Sequence, residues 1–242
     1  MLRLKNPHSI LATLQKRPTA VKSIEVQSGR QVGAWEQIIE RAAHHGIAVS
    51  SQRAAPPQRR RGQHTERIGG NSAKIESPSP VPLSGLLPQD NESGGLWLAL
   101  DQVQDPQNLG AIFRLAGFFG VRGMVMTRDK SAPITETVCD VSAGGVEHVP
   151  FSQVPNLAQA FKTVQQSGIW IVGTCERSTV NIRDLPRDRN WMLVVGNEGD
   201  GLRRLTREKC DELCALPAIG PVPSLNVATA AAACLSIMSA PT

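Results

Sequence analysis

Three segments in the C-terminal part of the chain combine glycine, proline and polar side chains in a way that suits the binding of a small ligand. Loop one covers residues 101–110 and is followed four residues later by Arg114. Loop two is the glycine-rich segment 196–201, and loop three is the proline-rich segment 216–226. Backbone of this composition leaves peptide groups free to contact a ligand, so these loops are the first candidates for chemistry.

Loop one contains two residues suited to the start of a helix beside a ligand. The side-chain oxygen of Asn108 could cap that helix, and Gly110 permits the close approach of a ligand or of another backbone segment. Arg114 follows six residues after Asn108 and carries a positive charge that could face the loop. A capped helix with a surface arginine is common, so loop one alone does not identify a site.

Loop two has three glycines in six residues, between a strand-like run and a helical pattern. Its order is GxxGxG and not the GxGxxG of dinucleotide-binding proteins, and Glu198 and Asp200 would repel a pyrophosphate. A ligand without phosphates that carries a positive charge, such as the sulfonium of an adenosyl cofactor, is electrostatically compatible with this loop.

Loop three is stiffened by Pro217, Pro221 and Pro223, and its free backbone groups could bind a ring such as adenine. Ser224 is placed to cap the Ala-rich helix that follows, and Asn226 would lie near the first turn of that helix. The small residues of this helix allow close packing against a neighbouring helix or a second subunit.

The three loops must be positioned by the elements around them, and the pattern after Gly95 is strand, loop, helix, repeated. Apolar runs of strand length, separated by helical patterns at 110–119 and 154–166, predict a parallel sheet covered on both faces. The predicted strands are Leu96–Leu100, Gly123–Met126, Ile169–Val172, Met192–Val195 and Leu213–Leu216. Loops one, two and three follow three of them, at the edge where parallel sheets bind ligands.

The N-terminal part reads as a small α/β module. Helices are predicted around residues 10–14 and at 34–45, and strands at 24–26, 47–49 and within 69–75. We therefore divide the chain into an N-terminal module (1–76), a flexible Ser/Pro-rich linker (77–94) and a C-terminal domain (95–242).

The positive charge of the chain belongs to its N-terminal part. Residues 1–94 contain 13 Lys and Arg against 7 Asp and Glu, whereas residues 95–242 contain 13 against 14. This distribution fits a module that binds a polyanion such as RNA, although a solvated basic surface explains the charge equally well. The run Arg59–Arg61 lies near the linker and favours contact with an RNA backbone.

The cysteines and the hydropathy pattern bound the cellular setting. The five cysteines lie in the C-terminal part, lack CxxC spacing and have no matching histidine pair, so we expect reduced core residues and no metal site. No signal-like segment or membrane-length apolar run is present in the sequence, so we expect a soluble, cytoplasmic protein.

Taken together, the three loops resemble the signature motifs of the SpoU (TrmH-type) branch of the SPOUT RNA methyltransferases, in the order and spacing of that family over roughly residues 95–240. Ala218 and Ala228 depart from it, since the family usually has Met and Ser there. The matching residues are Asn108, Gly110 and Arg114 in motif one, Gly196, Glu198, Gly199 and Gly201 in motif two, and Pro217, Gly220, Ser224, Leu225, Asn226 and Val227 in motif three.

The resemblance implies an α/β fold in which the C-terminal segment forms a deep trefoil knot, an exception to the rule against knots. It also implies a homodimer and an N-terminal RNA-binding domain similar to ribosomal protein L30, as in the 23S rRNA guanosine-2′-O-methyltransferases of the family. The implied reaction is methyl transfer from S-adenosylmethionine to a ribose 2′-hydroxyl of structured RNA, with a guanosine of ribosomal RNA as the usual target.

The resemblance also assigns roles to residues. The implied catalytic set is Asn108, Arg114, Glu198, Ser224 and Asn226. The implied cofactor-binding set is Thr174, Gly196, Asn197, Gly199, Leu216, Ile219 and Leu225. We expect Arg114 to stabilise the charge that develops on the ribose oxygen, because a guanidinium scarcely deprotonates in proteins and is a poor base.

Two other functions remain open at this point. A tRNA ribose methyltransferase would share the core, although such enzymes tend to carry short terminal helices in place of a separate module. A non-catalytic RNA-binding assembly factor could have kept the fold without binding the cofactor. A nucleotide-dependent α/β enzyme ranks last because the sequence lacks its fingerprint.

His148 is conceivable as a general base, but a loop histidine more often packs or faces solvent.

Overall fold

The computed structural model describes residues 1–52, 70–88, 94–197 and 199–239, which form two β-sheets with their helices. The N-terminal sheet has four strands and the C-terminal sheet has six. Glu198 and the run Arg59–Arg61 lie outside the described residues. Within the described part, no helix is long and apolar enough to span a membrane.

The N-terminal module is a four-stranded sheet in the order β1-β4-β2-β3, covered by two helices. Strand β1, which the sequence pattern did not predict, adds a short edge strand antiparallel to β4. The Asn6 side chain caps α1 by accepting from the backbone N–H of His8 at 2.9 Å. The elements are β1 (Leu2–Leu4), α1 (Pro7–Lys16), β2 (Val21–Gln27), α2 (Ala34–His44), β3 (Val49–Gln52) and β4 (Ser72–Ile75).

The C-terminal sheet has the order β10-β8-β9-β5-β6-β7, and every pairing in it is parallel. Apolar clusters cover both of its faces, which confirms the predicted α/β class. Its strands are β5 (Leu96–Asp101), β6 (Met124–Thr127), β7 (Phe151–Val154), β8 (Ile169–Thr174), β9 (Asn190–Gly196) and β10 (Glu212–Cys214). Its helices are α3 (Pro106–Phe118), α4 (Glu136–Val141), α5 (Gly145–His148), α6 (Leu157–Gln166), α7 (Arg204–Glu208) and α8 (Val227–Ser239).

Two boundaries of this domain differ from the sequence-based prediction. The helical pattern expected from Val154 begins only at Leu157, because Asn156 caps α6 and residues 151–154 form the edge strand β7. The last strand ends at Cys214 and not at Leu216, since Ala215 makes only an isolated bridge with Asn181.

The described part of the predicted linker packs against the C-terminal sheet. Leu86 is buried, and its carbonyl accepts a hydrogen bond from Trp97 Nε1 at 2.7 Å. The backbone N–H of Val81 donates to the carbonyl of Phe151 at 2.8 Å. Composition predicted a loose segment here, but its few apolar side chains join the core beside Trp97, so residues 77–88 are anchored.

The two domains are joined by a largely polar interface between α1 and the α4–α5 region. Arg17 pairs with Glu147, whose side chain is only 6% exposed, at an Nη2 to Oε1 distance of 2.7 Å. The backbone N–H groups of Lys5 and Asn6 both donate to the Asp140 carboxylate. Burial raises the pKa of Asp140, and these two backbone hydrogen bonds oppose the rise. Charged and polar contacts therefore join the two domains, together with Cys139, which packs into the apolar cluster of the N-terminal sheet.

We expect Arg17→Ala to lower the free energy of unfolding by about 2 kcal/mol, because the buried Glu147 carboxylate loses its cationic partner and keeps only the hydrogen bond from the Thr13 hydroxyl. Lys22→Ala is the matched control, since Lys22 pairs with Glu76 at the surface, where a salt bridge contributes about 0 to 1 kcal/mol. Urea unfolding at neutral pH measures both changes. Equal losses of unfolding free energy in the two variants would contradict a larger contribution from the buried pair than from the surface pair.

All five cysteines are free, and Cys139, Cys214 and Cys234 are buried. Burial raises the pKa of the Cys139 and Cys214 thiols to about 12, so both are protonated at neutral pH. The sequence predicted five reduced core residues, and these three lie in the core, whereas Cys175 and Cys210 are only partly buried.

Candidate functional site

The three loops leave the carboxyl ends of strands that lie close together in the sheet. Loop one follows β5 and loop two follows β9, and these strands are neighbours paired from Leu96–Trp191 to Asp101–Gly196. Loop three follows β10, which pairs with β8 on the other side of β9. The parallel topology therefore delivers all three loops to one edge of the sheet.

Loop one enters α3 through a different cap from the one predicted. Asp105 caps the helix by accepting from the backbone N–H of Gln107 at 2.8 Å, and Asn108 lies within the first turn. Asn108 was the predicted cap, but Pro106 begins the helix earlier, as proline at a first helical position allows. This leaves the Asn108 side chain available for loop three.

Loop two is a tight turn that glycine makes possible. Asn197 and Gly201 exchange two backbone hydrogen bonds of 3.0 and 3.2 Å, so these two residues pair at the base of the loop. A Cβ on Gly196 would lie 2.2 Å from the carbonyl carbon of Gly201, whereas a Cβ on Gly199 would meet only Asn197 Oδ1 at 3.7 Å. Gly196 is thus required by the turn itself, and Gly199 has open space above it.

Loop two is bonded to loop one by the Asn197 side chain. Its Nδ2 donates to the carbonyl of Gln102 at 3.1 Å, and its Oδ1 accepts from the backbone N–H of Gly199 at 2.9 Å. Gln102 has a φ of 63°, a conformation that non-glycine residues rarely adopt. The backbone conformation of loop one therefore directs the Gln102 carbonyl toward Asn197.

Sequence reasoning missed a second connection between these loops. The carboxylate of Asp101 is fully buried and accepts from the backbone N–H of Arg203 at 3.0 Å and from its Nε at 2.7 Å. Asp101 closes β5, and Arg203 follows loop two. An acidic residue at the end of an otherwise apolar strand was the available signal, because a buried carboxylate requires a partner.

Loop three is bonded to loop one by a pair of asparagines. Asn226 Nδ2 donates to Asn108 Oδ1 at 2.9 Å. Asn226 Oδ1 accepts from the backbone N–H groups of Ala228 and Thr229 at 2.9 and 3.3 Å, so Asn226 caps α8. Ser224, the predicted cap, is exposed three residues before the first residue of α8 and does not take this position.

The remaining predicted cofactor residues lie on the same edge. Thr174 is the last residue of β8, and its hydroxyl donates to the carbonyl of Val194 on β9 at 3.2 Å. Leu216 is half-buried where loop three begins, whereas Ile219 and Leu225 are exposed apolar side chains. Exposed apolar groups beside free backbone are suited to contact a ligand or a second subunit.

Arg114 lies on the outer face of α3 and is exposed. It lines a cleft of about 330 Å³ together with Phe118 and residues of α1 and the α4–α5 turn. Six residues of helix separate it from Asn108, a rise of about 9 Å. Among the described residues no ion pair or hydrogen bond holds its guanidinium, so the group is free to meet a ligand.

We expect Asn226→Ser to lower the free energy of unfolding by about 1 kcal/mol and Asn226→Ala by about 2 kcal/mol. Serine keeps the cap of α8 and loses the hydrogen bond to Asn108, whereas alanine loses both. Asn108→Ala removes the same bond from its other end, so it should cost at least as much as the serine variant. Thermal unfolding of the three variants tests this, and equal losses for serine and alanine at position 226 would contradict the cap.

The comparisons with known proteins agree with this geometry. The SpoU rRNA methylase family matches residues 95–236. The chain is 35% identical over 229 residues to the 23S rRNA (guanosine-2′-O-)-methyltransferase RlmB of Vibrio cholerae, covering 94% of this chain and 92% of the relative. It is 37% identical over 231 residues to the RlmB of Pseudomonas aeruginosa, with the same coverage of the two chains.

Solved structures agree in fold. The SpoU methyltransferase AviRb of Streptomyces viridochromogenes superposes with a TM-score of 0.78 at 22% identity, covering 98% of this chain and 88% of AviRb. AviRb in complex with its cofactor AdoMet superposes with a TM-score of 0.75 at 23% identity and the same coverage. With its three motifs at one sheet edge and matches that extend over nearly its whole length, the chain belongs to the SpoU rRNA methylase family.

Proposed function

We propose that the protein transfers a methyl group from S-adenosylmethionine to the ribose 2′-hydroxyl of a guanosine in 23S ribosomal RNA. The single observation that carries this proposal is the joining of the three motif loops at one sheet edge by the Asn108–Asn226 and Gln102–Asn197 hydrogen bonds. The relatives at 35% and 37% identity, which are named for this reaction, support the substrate. Ribosomal RNA as substrate also supports a cytoplasmic location.

The residues around the loops fit S-adenosylmethionine. The open space above Gly199 and the exposed apolar side chains of Ile219 and Leu225 offer a surface for the adenosyl group. Free backbone groups of loop three could bind the adenine, and loop two carries no cation that would oppose a sulfonium. When bound, the cofactor supplies a methyl group already activated by the positive sulfur.

The protein must then make the ribose hydroxyl nucleophilic at neutral pH. Arg114 orients the hydroxyl or its flanking phosphate and stabilises the negative charge that develops on the oxygen. Asn108 and Asn226 hold the start of α3 against the start of α8, and this fixes the helix that carries Arg114. Ser224 and Glu198 complete the proposed catalytic set, and Glu198 lies outside the described residues.

The C-terminal segment is proposed to form the trefoil knot of the family. Residues 215–239 leave β10, run through loop three and return as α8 to pack against α3, and this return of the C-terminal segment supports the proposal. The same segment is the proposed homodimer interface. It exposes Ile219, Val222 and Leu225, and a second copy of the chain would cover these apolar side chains.

The N-terminal module, residues 1–76, is proposed to bind RNA as an L30-like domain, with residues 77–94 as the connection to the methyltransferase domain, 95–242. The charge of residues 1–94, with 13 Lys and Arg against 7 Asp and Glu, supports this division. The run Arg59–Arg61 belongs to the proposed RNA-contacting part and lies outside the described residues.

The experiment is incubation of the protein with labelled S-adenosylmethionine and one of two RNAs, unmodified 23S ribosomal RNA or total tRNA, followed by mapping of ribose methylation. Label at a single guanosine of 23S RNA is the expected result. Label in tRNA alone would mean that tRNA, and not 23S RNA, is the substrate. Cofactor binding should be measured in parallel by calorimetry. RNA binding without cofactor binding would mean a non-catalytic assembly factor.

A further inference from the structure

A cleft between the two domains is lined in part by Arg114, and its other lining side chains have no role in the proposed transfer reaction. Helix α1 of the N-terminal module provides His8, α3 provides Arg114 and Phe118, and the α4–α5 region provides Ser142 and His148. Its volume of about 330 Å³ is within the range of small-ligand sites. The cleft is large enough for one nucleotide and is open to solvent.

The chemistry of the lining side chains suits RNA. Phe118 is 82% exposed, although an aromatic ring of this size normally gains from burial. It lies one helical turn after Arg114, so the two side chains project from the same face of α3. An exposed ring beside a cation is the combination that stacks a base and contacts a phosphate in single-stranded RNA.

The walls of the cleft are fixed by the domain interface. The Ser9 hydroxyl donates to the carbonyl of Cys139 at 2.7 Å, so α1 is held against α4 directly beside His8. Gly144 has a φ of 97°, and a Cβ there would lie 2.7 Å from the Cβ of Ala12. A Cβ on Gly145 would lie 2.3 Å from the carbonyl oxygen of Phe113. Two glycines thus let α1 and α3 approach the same turn.

We propose that this cleft binds an unpaired nucleotide of the substrate RNA that flanks the methylated one. Its base stacks on Phe118, and His8 and His148 hydrogen-bond to the base edge or to the backbone. Arg114 lies at the boundary between this nucleotide and the reacting ribose. The inference rests on the proposed function and adds to it a recognition site shared by both domains.

The test measures methyl transfer and RNA affinity for Phe118→Ala and for the double variant His8→Ala with His148→Ala. Both sets of side chains are exposed, so the fold should be retained. An aromatic ring that stacks on a base contributes to its binding, so we expect Phe118→Ala to raise the KM for unmodified 23S RNA roughly tenfold. The kcat at saturating RNA and the affinity for S-adenosylmethionine should stay at wild-type values. Phe118→Trp should restore the KM.

The controls separate the alternatives. Trp170→Ala is the control, because it removes an exposed aromatic ring on β8 that does not line the cleft, so it should not change the KM. An unchanged KM in Phe118→Ala would overturn the proposal. So would a fall in molecular mass by light scattering with RNA affinity retained, which would place Phe118 in a subunit interface. Wild-type protein that binds RNA in this cleft but transfers no methyl group would contradict only the proposed function.

Discussion

Replacing Arg114 by alanine is expected to reduce methyl transfer about a thousandfold while leaving the affinity for S-adenosylmethionine unchanged. The loss follows because Arg114 is the proposed stabiliser of the charge on the reacting oxygen, and removal of one preorganised donor costs about a hundredfold to a thousandfold in rate. Arg114 is exposed on α3, so its removal should leave the fold intact. Single-turnover transfer and calorimetry of cofactor binding are the two measurements.

Two further variants sharpen this test. Arg114→Lys keeps the charge but not the planar guanidinium, so partial activity is expected if charge is the main contribution and little if geometry matters. Arg128→Ala is the control, since Arg128 is equally exposed after β6 and faces Asp129. Near-normal turnover by Arg114→Ala would remove Arg114 from the mechanism and leave the family assignment in place.

The largest structural effect is expected from Gly196→Ala, which should destabilise the C-terminal domain by about 3 kcal/mol and abolish cofactor binding. The added Cβ would lie 2.2 Å from the carbonyl carbon of Gly201, and backbone cannot move away without opening the turn of loop two. Gly199→Ala separates an effect on ligand binding from an effect on folding. Its Cβ meets only a side-chain oxygen at 3.7 Å, so stability should change by less than about 0.5 kcal/mol.

Cofactor affinity in Gly199→Ala should nevertheless fall about tenfold, because the new methyl group occupies space assigned to the ligand. A tenfold fall in affinity corresponds to a loss of about 1.4 kcal/mol in binding free energy. Gly85→Ala, at a position with open space in the connecting segment, is the control for adding a methyl group at a surface glycine. Thermal unfolding and calorimetry report the two quantities, and unchanged affinity in Gly199→Ala would move the cofactor away from loop two.

The parallel sheet could be predicted because its central strands are buried on both faces and therefore read as continuous apolar runs, as in β5 and β9. Strand β7 escaped prediction because it pairs only with β6 at the sheet edge, and Ser152 and Gln153 interrupt its apolar pattern. Strand β1 escaped because three residues are too few to show a period.

The site was predictable at the level of loops and less so at the level of atoms. Each loop offers several cap candidates within a few residues, and composition does not tell Asp105 from Asn108 or Asn226 from Ser224. The choice depends on where Pro106 and Val227 begin their helices. The cleft could not be predicted from the sequence, because His8 and His148 line it together only when the two domains are packed against each other.

The docking of those domains has a consequence for how a substrate is chosen. Because Arg17 and Glu147 lock α1 onto α5, the distance from the N-terminal module to Arg114 is set by the protein and not by the RNA. If the module binds RNA as proposed, this fixed distance would let a bound RNA present to Arg114 only the ribose that lies one span away from the module. Site selection would then follow from length as much as from base identity.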